Sequence, residues 1–126
     1  RNLWTYIIIF CGHFPEGVHQ FTEEEVQNET RGGWYLRQLM GSANIEGGRL
    51  MHLMSGNLSF QIEHHLFPDL PSNRYAALSP KVRAICARYG LPYNSAPLTR
   101  QFGTTLKRVF RLALPNRVPN GLPSTA

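Results

Sequence analysis

The 126-residue sequence predicts an all-α chain with a single modest core. Three local patterns support this prediction. A capping box opens a helix near residue 22, and apolar residues recur at helical spacing between residues 79 and 90 and again between residues 99 and 114. Glycine and proline mark the turns between these segments.

The first segment, Leu3–Cys11, is apolar, and its residues alone leave two interpretations open. Its β-branched and aromatic content slightly favours a buried strand. The alternative is the end of a membrane helix, although the segment is shorter than the roughly 20 residues that cross a bilayer as a helix. Gly12, Pro15 and Gly17 predict a break directly after it.

The next predicted element is a short acidic helix. Thr22 followed by Glu25 forms a capping box, and the helix is expected to continue as far as about Glu29. Gly32 and Gly33 are expected to end it. Farther along, apolar stretches alternate with turns, which fits short helices.

A better-defined helix is predicted between residues 79 and 90. Ser79 is its expected N-cap, Pro80 its first helical residue and Gly90 its stop signal. Its expected apolar stripe consists of Val82, Ile85, Cys86 and Tyr89.

The last predicted helix runs from about Thr99 to Leu114. Its apolar stripe consists of Phe102, Leu106, Val109, Phe110 and Ala113. Its cations lie largely off that stripe, so the helix either rests on an anionic membrane or packs the stripe on the rest of the domain. Residues 115–126 are predicted to form a disordered tail.

The N-terminal and C-terminal parts of the chain differ in net charge. Residues 1–73 carry four Lys or Arg and all eight Asp or Glu, whereas residues 74–126 carry nine Lys or Arg and no acid. On charge alone, the C-terminal part favours a membrane surface or a nucleic acid as its partner. Cys11 and Cys86 form no CxxC spacing, which argues against a disulfide framework and against a thiolate zinc site.

The strongest chemical signal is a pair of adjacent histidines. In a helix, Gln61, His64 and His65 share one face, because residues three and four apart are neighbours. Adjacent imidazoles are awkward to bury unless an ion, an acid or water satisfies them. Imidazole suits zinc, copper, iron and nickel, and the HExxH pattern of zinc proteases is absent. The residues alone support a metal site and a structural role about equally.

The run from Asn57 to Pro68 resembles the third histidine box, QxxHH, of the membrane fatty acid desaturases, especially the subgroup of front-end desaturases and some bacterial acyl desaturases. The flanks resemble that family too, from Trp34 to Glu46 before the box and from Pro71 to Tyr93 after it. The resemblance covers roughly residues 3–114 and is specific, because box, spacing and flanks agree.

This resemblance implies the C-terminal part of a helical integral membrane enzyme. Residues 1–114 are expected to begin at the end of a transmembrane helix and to continue as cytosolic helices that carry the third box. In the family, two earlier boxes, HxxxH and HxxHH, complete a di-iron centre, and neither occurs in this chain. The implied reaction introduces a double bond into an acyl chain with O2 and two electrons, so this chain alone is expected to be inactive.

The resemblance also assigns roles to individual residues. It makes His64 and His65 the paired iron ligands, and His13 stands where the family often has a further histidine ligand. Gln61 occupies a position that is histidine in other branches. It is therefore expected to be a weak ligand or a hydrogen-bonding neighbour of the metal site.

Four further polar residues have less defined expectations. Asn44 is expected to be a polar turn residue, with a hydrogen bond to a metal-bound water as the alternative. Glu63 either points away from the histidine pair or accepts a hydrogen bond from an imidazole. His19 and His52 match no motif and are expected to be structural or solvent-exposed.

The implied substrate is an acyl chain on coenzyme A, on an acyl carrier protein or in a glycerolipid. The implied electron donor is a ferredoxin or a cytochrome b5-type protein, and the basic residues after 73 suit either donor docking or lipid headgroups. No nucleic-acid partner is expected. The alternatives are a di-iron hydroxylase or ketolase on the same scaffold, a helical interaction domain without chemistry and, more remotely, a basic nucleic-acid-binding module, for which no recognition motif is present.

Overall fold

The computed structural model describes residues 2–114, so the predicted tail at residues 115–126 lies outside the described residues. The described chain is mostly helical, in agreement with the predicted fold class. Its helices are α1 (Asn2–His13), α2 (Glu23–Val26), α3 (Arg31–Met40), α4 (Arg49–Met54), α5 (Gln61–Leu66), α6 (Tyr75–Tyr89) and α7 (Leu98–Ala113), with a 3₁₀ turn at Ser72–Arg74.

A small sheet departs from the all-α prediction. Strands β1 (Asn44–Glu46) and β2 (Ser95–Pro97) pair in parallel, with Asn44 opposite Ser95. Three-residue strands are too short to show the alternation by which strands are recognised in a sequence. The pair nevertheless lies centrally, because β1 contacts α1, α5 and α7.

The apolar first segment is helical, so the strand interpretation was wrong. Ile8, Cys11 and Gly12 are buried at helical spacing, and Ile8 and Cys11 pack with Ile45 of β1. The opposite face of α1 exposes Leu3, Tyr6 and Ile9. Within residues 2–114, no helix is both long enough and apolar enough to span a membrane.

The capping box at α2 is confirmed, but the elements around it differ from the prediction. The Thr22 hydroxyl accepts from the Glu25 N–H, while the Glu25 carboxylate accepts from the Thr22 N–H. The helix ends at Val26. Gly32 and Gly33 do not end a helix, because they lie in the first turn of α3, where the Thr30 hydroxyl caps the Gly33 N–H at 3.1 Å.

Helix α6 begins earlier than predicted. It starts at Tyr75, so Pro80 lies inside the helix and Ser79 is not its N-cap. The predicted end is confirmed, because Gly90 has a φ of +64°, a conformation that favours glycine. Of the predicted stripe, Val82 and Cys86 are buried, whereas Ile85 and Tyr89 are exposed.

The main core joins the three helices around the histidine pair. Leu39 of α3, Ile62 of α5, and Val82 and Cys86 of α6 form one buried cluster. This cluster fixes α5 between α3 and α6.

Helix α7 lies within one residue of its predicted bounds, but it buries a different face. Gln101 and Thr105 are its buried residues, and Gln101 donates to the Asn44 carbonyl at 3.1 Å. The predicted apolar stripe, at positions 102, 106, 109, 110 and 113, is exposed. Within the described residues, the stripe therefore does not pack on the rest of the domain.

Candidate metal centre

Helices α1 and α5 bring the candidate histidines together. His13 ends α1, and its Nε2 lies 2.9 Å from the Nε2 of His65 in α5. The rings of His64 and His65 are 5.6 Å apart between centroids. The three histidines implied by the resemblance thus form one cluster, although His13 is 52 residues from His65 in sequence.

Each imidazole in this cluster engages the protein through Nδ1. His13 Nδ1 lies 2.8 Å from the Ile9 carbonyl oxygen, and His65 Nδ1 lies 3.3 Å from Gln38 Oε1. His64 Nδ1 lies 3.2 Å from the Tyr75 hydroxyl. Histidines that bind a metal through one ring nitrogen are typically oriented by such a hydrogen bond at the other.

The Nε2 atoms of His13 and His65 fit a shared cation. The Ile9 carbonyl and Gln38 Oε1 can only accept, so the Nδ1 of His13 and of His65 donate to them, and Nε2 is the ring nitrogen of each that is left to bind a metal. The two Nε2 atoms lie 2.9 Å apart. Two nitrogens that each lie about 2.1 Å from one ion are about 3.0 Å apart when their bonds meet at a right angle and about 3.4 Å apart at the tetrahedral angle. The separation therefore suits two ligands of one metal ion that lies to the side of the line joining the nitrogens.

Burial keeps the His65 ring neutral, which is the form that binds metals. Desolvation, followed by the neighbouring His13 and His64, lowers the pKa of His65 to about 4. At neutral pH the His65 ring is therefore uncharged. The donor chemistry of this cluster consequently fits a first-row metal that imidazole favours.

Gln61 adds an unsatisfied acceptor at the start of α5. Its side chain is 2% exposed, and its Oε1 has no hydrogen-bond partner among the described residues. Buried polar atoms are normally paired, so this oxygen suits a metal or a metal-bound water. Gly12 of α1 makes room for it, because a Cβ there would lie 2.5 Å from Gln61 Cγ.

Asn44 and Glu63 are directed into a separate polar cluster. Glu63 is fully buried. One of its carboxylate oxygens accepts from the Asn44 amide at 2.8 Å and the other from the Tyr93 hydroxyl at 2.7 Å. Asn44 also donates to the Tyr93 oxygen and accepts from the Ile62 N–H. Of the two alternatives for Glu63, the structure favours the one in which it points away from the histidine pair.

The described residues supply only part of a coordination shell. Between residues 2 and 114, no group of three or more His, Cys, Asp or Glu side chains is arranged to hold a metal ion. His19 lies near Glu25 at 3.9 Å, and His52 bonds Ser59 at 2.7 Å and stacks on Phe60. Neither is part of the His13–His64–His65 cluster.

Three residues that contact the histidines or the neighbouring Glu63 were missed by sequence reasoning. Gln38 and Tyr75 orient His65 and His64, while Tyr93 holds Glu63. They come from α3, from the start of α6 and from the segment before β2. No short motif connects them to the histidine pair, so only the tertiary structure identifies them.

Comparison with known proteins places the site in a family context. A family model described as "Fatty acid desaturase" matches residues 2–97. The chain is 50% identical over 117 residues to an NADPH-dependent stearoyl-CoA 9-desaturase of Mycobacterium tuberculosis, which covers 93% of this chain and 27% of that protein.

The chain is also similar in sequence to mammalian fatty acid desaturases. Identity is 41% to fatty acid desaturase 3 of Bos taurus, over 75% of this chain and 19% of that protein. It is 34% to a fatty acid desaturase 2-like protein of Mus musculus, over 87% of this chain and 21% of that protein. The chain thus spans about a quarter or less of the length of these relatives. No solved structure matches it. From the family match and the histidine cluster, we conclude that the chain belongs to the fatty acid desaturase family.

Proposed function

We propose that residues 1–114 form the C-terminal part of a membrane di-iron desaturase that introduces a double bond into a long acyl chain. The observation that carries this proposal is the close approach of the His13 and His65 Nε2 atoms, which lie 2.9 Å apart. It occurs beside the QxxHH box of a chain that belongs to the desaturase family.

The proposed iron ligands from this chain are His13, His64 and His65, with the Gln61 oxygen as a weak ligand or as an acceptor for bound water. The remaining ligands would come from the HxxxH and HxxHH boxes, which this chain does not contain. When bound, the two irons supply the oxidising power, drawn from O2 and two electrons, that removal of hydrogen from an unactivated methylene requires.

The residues of this chain orient the ligands. The Ile9 carbonyl, Gln38 and Tyr75 hold the three imidazoles through Nδ1. Ile62 and Glu63, which precede the histidine pair, are fully buried. Such prearranged ligands let binding energy hold the acyl chain near the oxidant.

The proposed substrate is a saturated acyl-coenzyme A, and the electrons are proposed to derive from NADPH. The support is the mycobacterial relative, whose name specifies NADPH and stearoyl-CoA. A ferredoxin or cytochrome b5-type protein remains the proposed direct donor. We propose that α1 is the end of a membrane helix, which agrees with its exposed apolar face of Leu3, Tyr6 and Ile9, and that the later helices lie on the cytosolic side.

The test is gas-chromatographic profiling of acyl chains in cells that express the complete gene product. We expect a new unsaturated species, absent from a vector control and from a His64→Ala/His65→Ala variant. His19→Ala is the matched control, because His19 lies on the surface and its loss is expected to leave the product unchanged.

Other outcomes of this experiment are equally informative. Hydroxylated or oxo products that depend on His64 and His65 would show that the reaction is that of a hydroxylase or ketolase and not a desaturation. If the protein is expressed, loaded with iron and supplied with a donor, the absence of any histidine-dependent product would refute the proposed activity.

A further inference from the structure

A closed polar cluster lies beneath the histidine pair. It joins Glu63 of α5, Asn44 of β1, Ser79 of α6 and Tyr93, which precedes β2. Asn44 is 3% exposed and Glu63 is fully buried. These four side chains come from four separate parts of the fold and meet at the Tyr93 hydroxyl.

The donor and acceptor roles of the Tyr93 hydroxyl follow from its three partners. Burial raises the pKa of the Tyr93 hydroxyl, so the group keeps its proton, which it donates to Glu63 at 2.7 Å. Its oxygen must then accept from the Asn44 amide at 2.7 Å and from the Ser79 hydroxyl at 2.8 Å. One donor and two acceptor sites are thereby used, which is the whole capacity of a phenol.

Asn44 connects this cluster to the backbone of α5. Both hydrogens of its amide are engaged, one by Glu63 and one by Tyr93, and its Oδ1 accepts from the Ile62 N–H at 2.8 Å. Helix α5 has no side-chain N-cap of its own. Asn44 therefore acts as a cap supplied from another element.

Helix α5 needs such support because it has only six residues. Helices of this length are unstable in isolation, and tertiary contacts decide whether and where they form. Ile62 and Glu63 are held by hydrogen bonds with Asn44 and Tyr93. They immediately precede His64 and His65. Any rotation of α5 at Ile62 and Glu63 would therefore turn both imidazoles away from His13.

We propose that Tyr93 is a positioning residue, whose hydroxyl fixes α5 through Glu63 and Asn44 so that His64 and His65 face the metal together with His13. The inference rests on the proposed di-iron function. It goes beyond that function by assigning a role to a tyrosine that lies 28 and 29 residues after the histidine pair.

The experiment compares Tyr93→Phe with wild type in the purified complete gene product. This substitution keeps the ring over which Arg83 lies at 5.0 Å, but it removes the hydroxyl from Glu63, Asn44 and Ser79. Tyr89→Phe is the matched control, because Tyr89 is 67% exposed. Two properties are measured: the rate of iron release to a chelator, and deuterium uptake by peptides that cover residues 61–66.

We expect Tyr93→Phe to release iron about 10- to 100-fold faster, the range typical of residues that orient metal ligands, with faster deuterium uptake at residues 61–66 and not in α7. The KM for the acyl substrate should stay unchanged while kcat falls. Tyr89→Phe should match wild type. Iron release and deuterium uptake within twofold of wild type in Tyr93→Phe would overturn the proposal.

A second variant covers the case in which Tyr93→Phe does not fold. Ser79→Ala removes only the donor to the Tyr93 oxygen, so it should accelerate iron release and local exchange in the same direction by a smaller factor. No change in either quantity would again overturn the role of Tyr93. Deuterium uptake can be followed without metal. If the wild-type protein neither binds iron nor desaturates, the proposed function is refuted. If deuterium uptake in the variants is unchanged, only the positioning role of Tyr93 is refuted.

Discussion

At the scale of single residues, the contact between Gly12 and Gln61 sets how closely the two histidine-bearing helices approach. Glycine is a poor helix former, yet Gly12 lies in the last turn of α1, directly before His13. The reason is spatial, since the Gln61 side chain occupies the place of a Cβ. The close approach of α1 and α5 allows His13 and His65 to meet.

Gly12→Ala is therefore expected to be destabilising despite its better helix propensity. Forcing an extra carbon into a packed site costs about 1–3 kcal/mol, and displacement of Gln61 should also lower the iron content. Gly103→Ala is the control, because Gly103 lies in α7 with open space where its Cβ would be, so that change should be neutral or stabilising by up to about 1 kcal/mol. Thermal unfolding and metal analysis of the complete gene product test both, and equal stability of the two variants would contradict the steric argument.

The residue scale also shows what the sequence could predict of the site. The resemblance predicted His13, His64, His65 and Gln61 as site residues, and the structure brings His13 and His65 together. The resemblance could not identify Gln38 and Tyr75, which reach the histidines from α3 and α6. Those contacts depend on how helices pack, and helix packing leaves no short pattern in the sequence.

At the scale of elements, the core around α5 explains which apolar positions matter. Ile62 is fully buried with Leu39, Val82 and Cys86. Ile85 was predicted for the buried stripe of α6 but is 55% exposed. The two isoleucines offer a matched comparison between a residue that holds the histidine helix and one that faces outwards.

We expect Ile62→Ala to lower the free energy of unfolding by about 2–5 kcal/mol, the usual cost of emptying a packed site. Ile85→Ala should change it by no more than about 0.5 kcal/mol, as is typical of exposed positions. Chemical denaturation of the complete gene product, followed by tryptophan fluorescence, measures both. A larger loss at Ile85 than at Ile62 would show that the core lies on the other face of α6.

Helix ends were predicted correctly from the sequence where the signal depends on neighbouring residues alone. They were predicted wrongly where a tertiary contact competes with the local signal. The capping box at Thr22 and the left-handed Gly90 depend on neighbouring residues only. By contrast, Ser79-Pro80 looks like a helix start, but Ser79 bonds Tyr93 and α6 begins at Tyr75. In this case the tertiary partner of Ser79 overrides its preference for an N-cap.

At the scale of the whole molecule, the described residues leave several apolar faces uncovered. Exposed large apolar side chains occur on α1, α4 and α7, including Leu3, Leu53 and Phe110. Where exposed apolar side chains adjoin one another, they mark contact with lipid or with further protein. Together with the basic balance after residue 73, this supports the proposal that the chain is part of a larger membrane enzyme.

The incomplete ligand set leads to a prediction for the chain as a whole. Residues 1–126 expressed alone are expected to bind iron substoichiometrically and to form no unsaturated product. Only a pair of imidazole nitrogens converges closely among residues 2–114, and two-iron centres need more ligands than that. Iron titration of the isolated chain, beside the complete gene product and its His64→Ala/His65→Ala variant, measures this. Stoichiometric binding of two irons by residues 1–126 would mean that the ligands of this chain suffice and that the proposed contribution of two further histidine boxes is wrong.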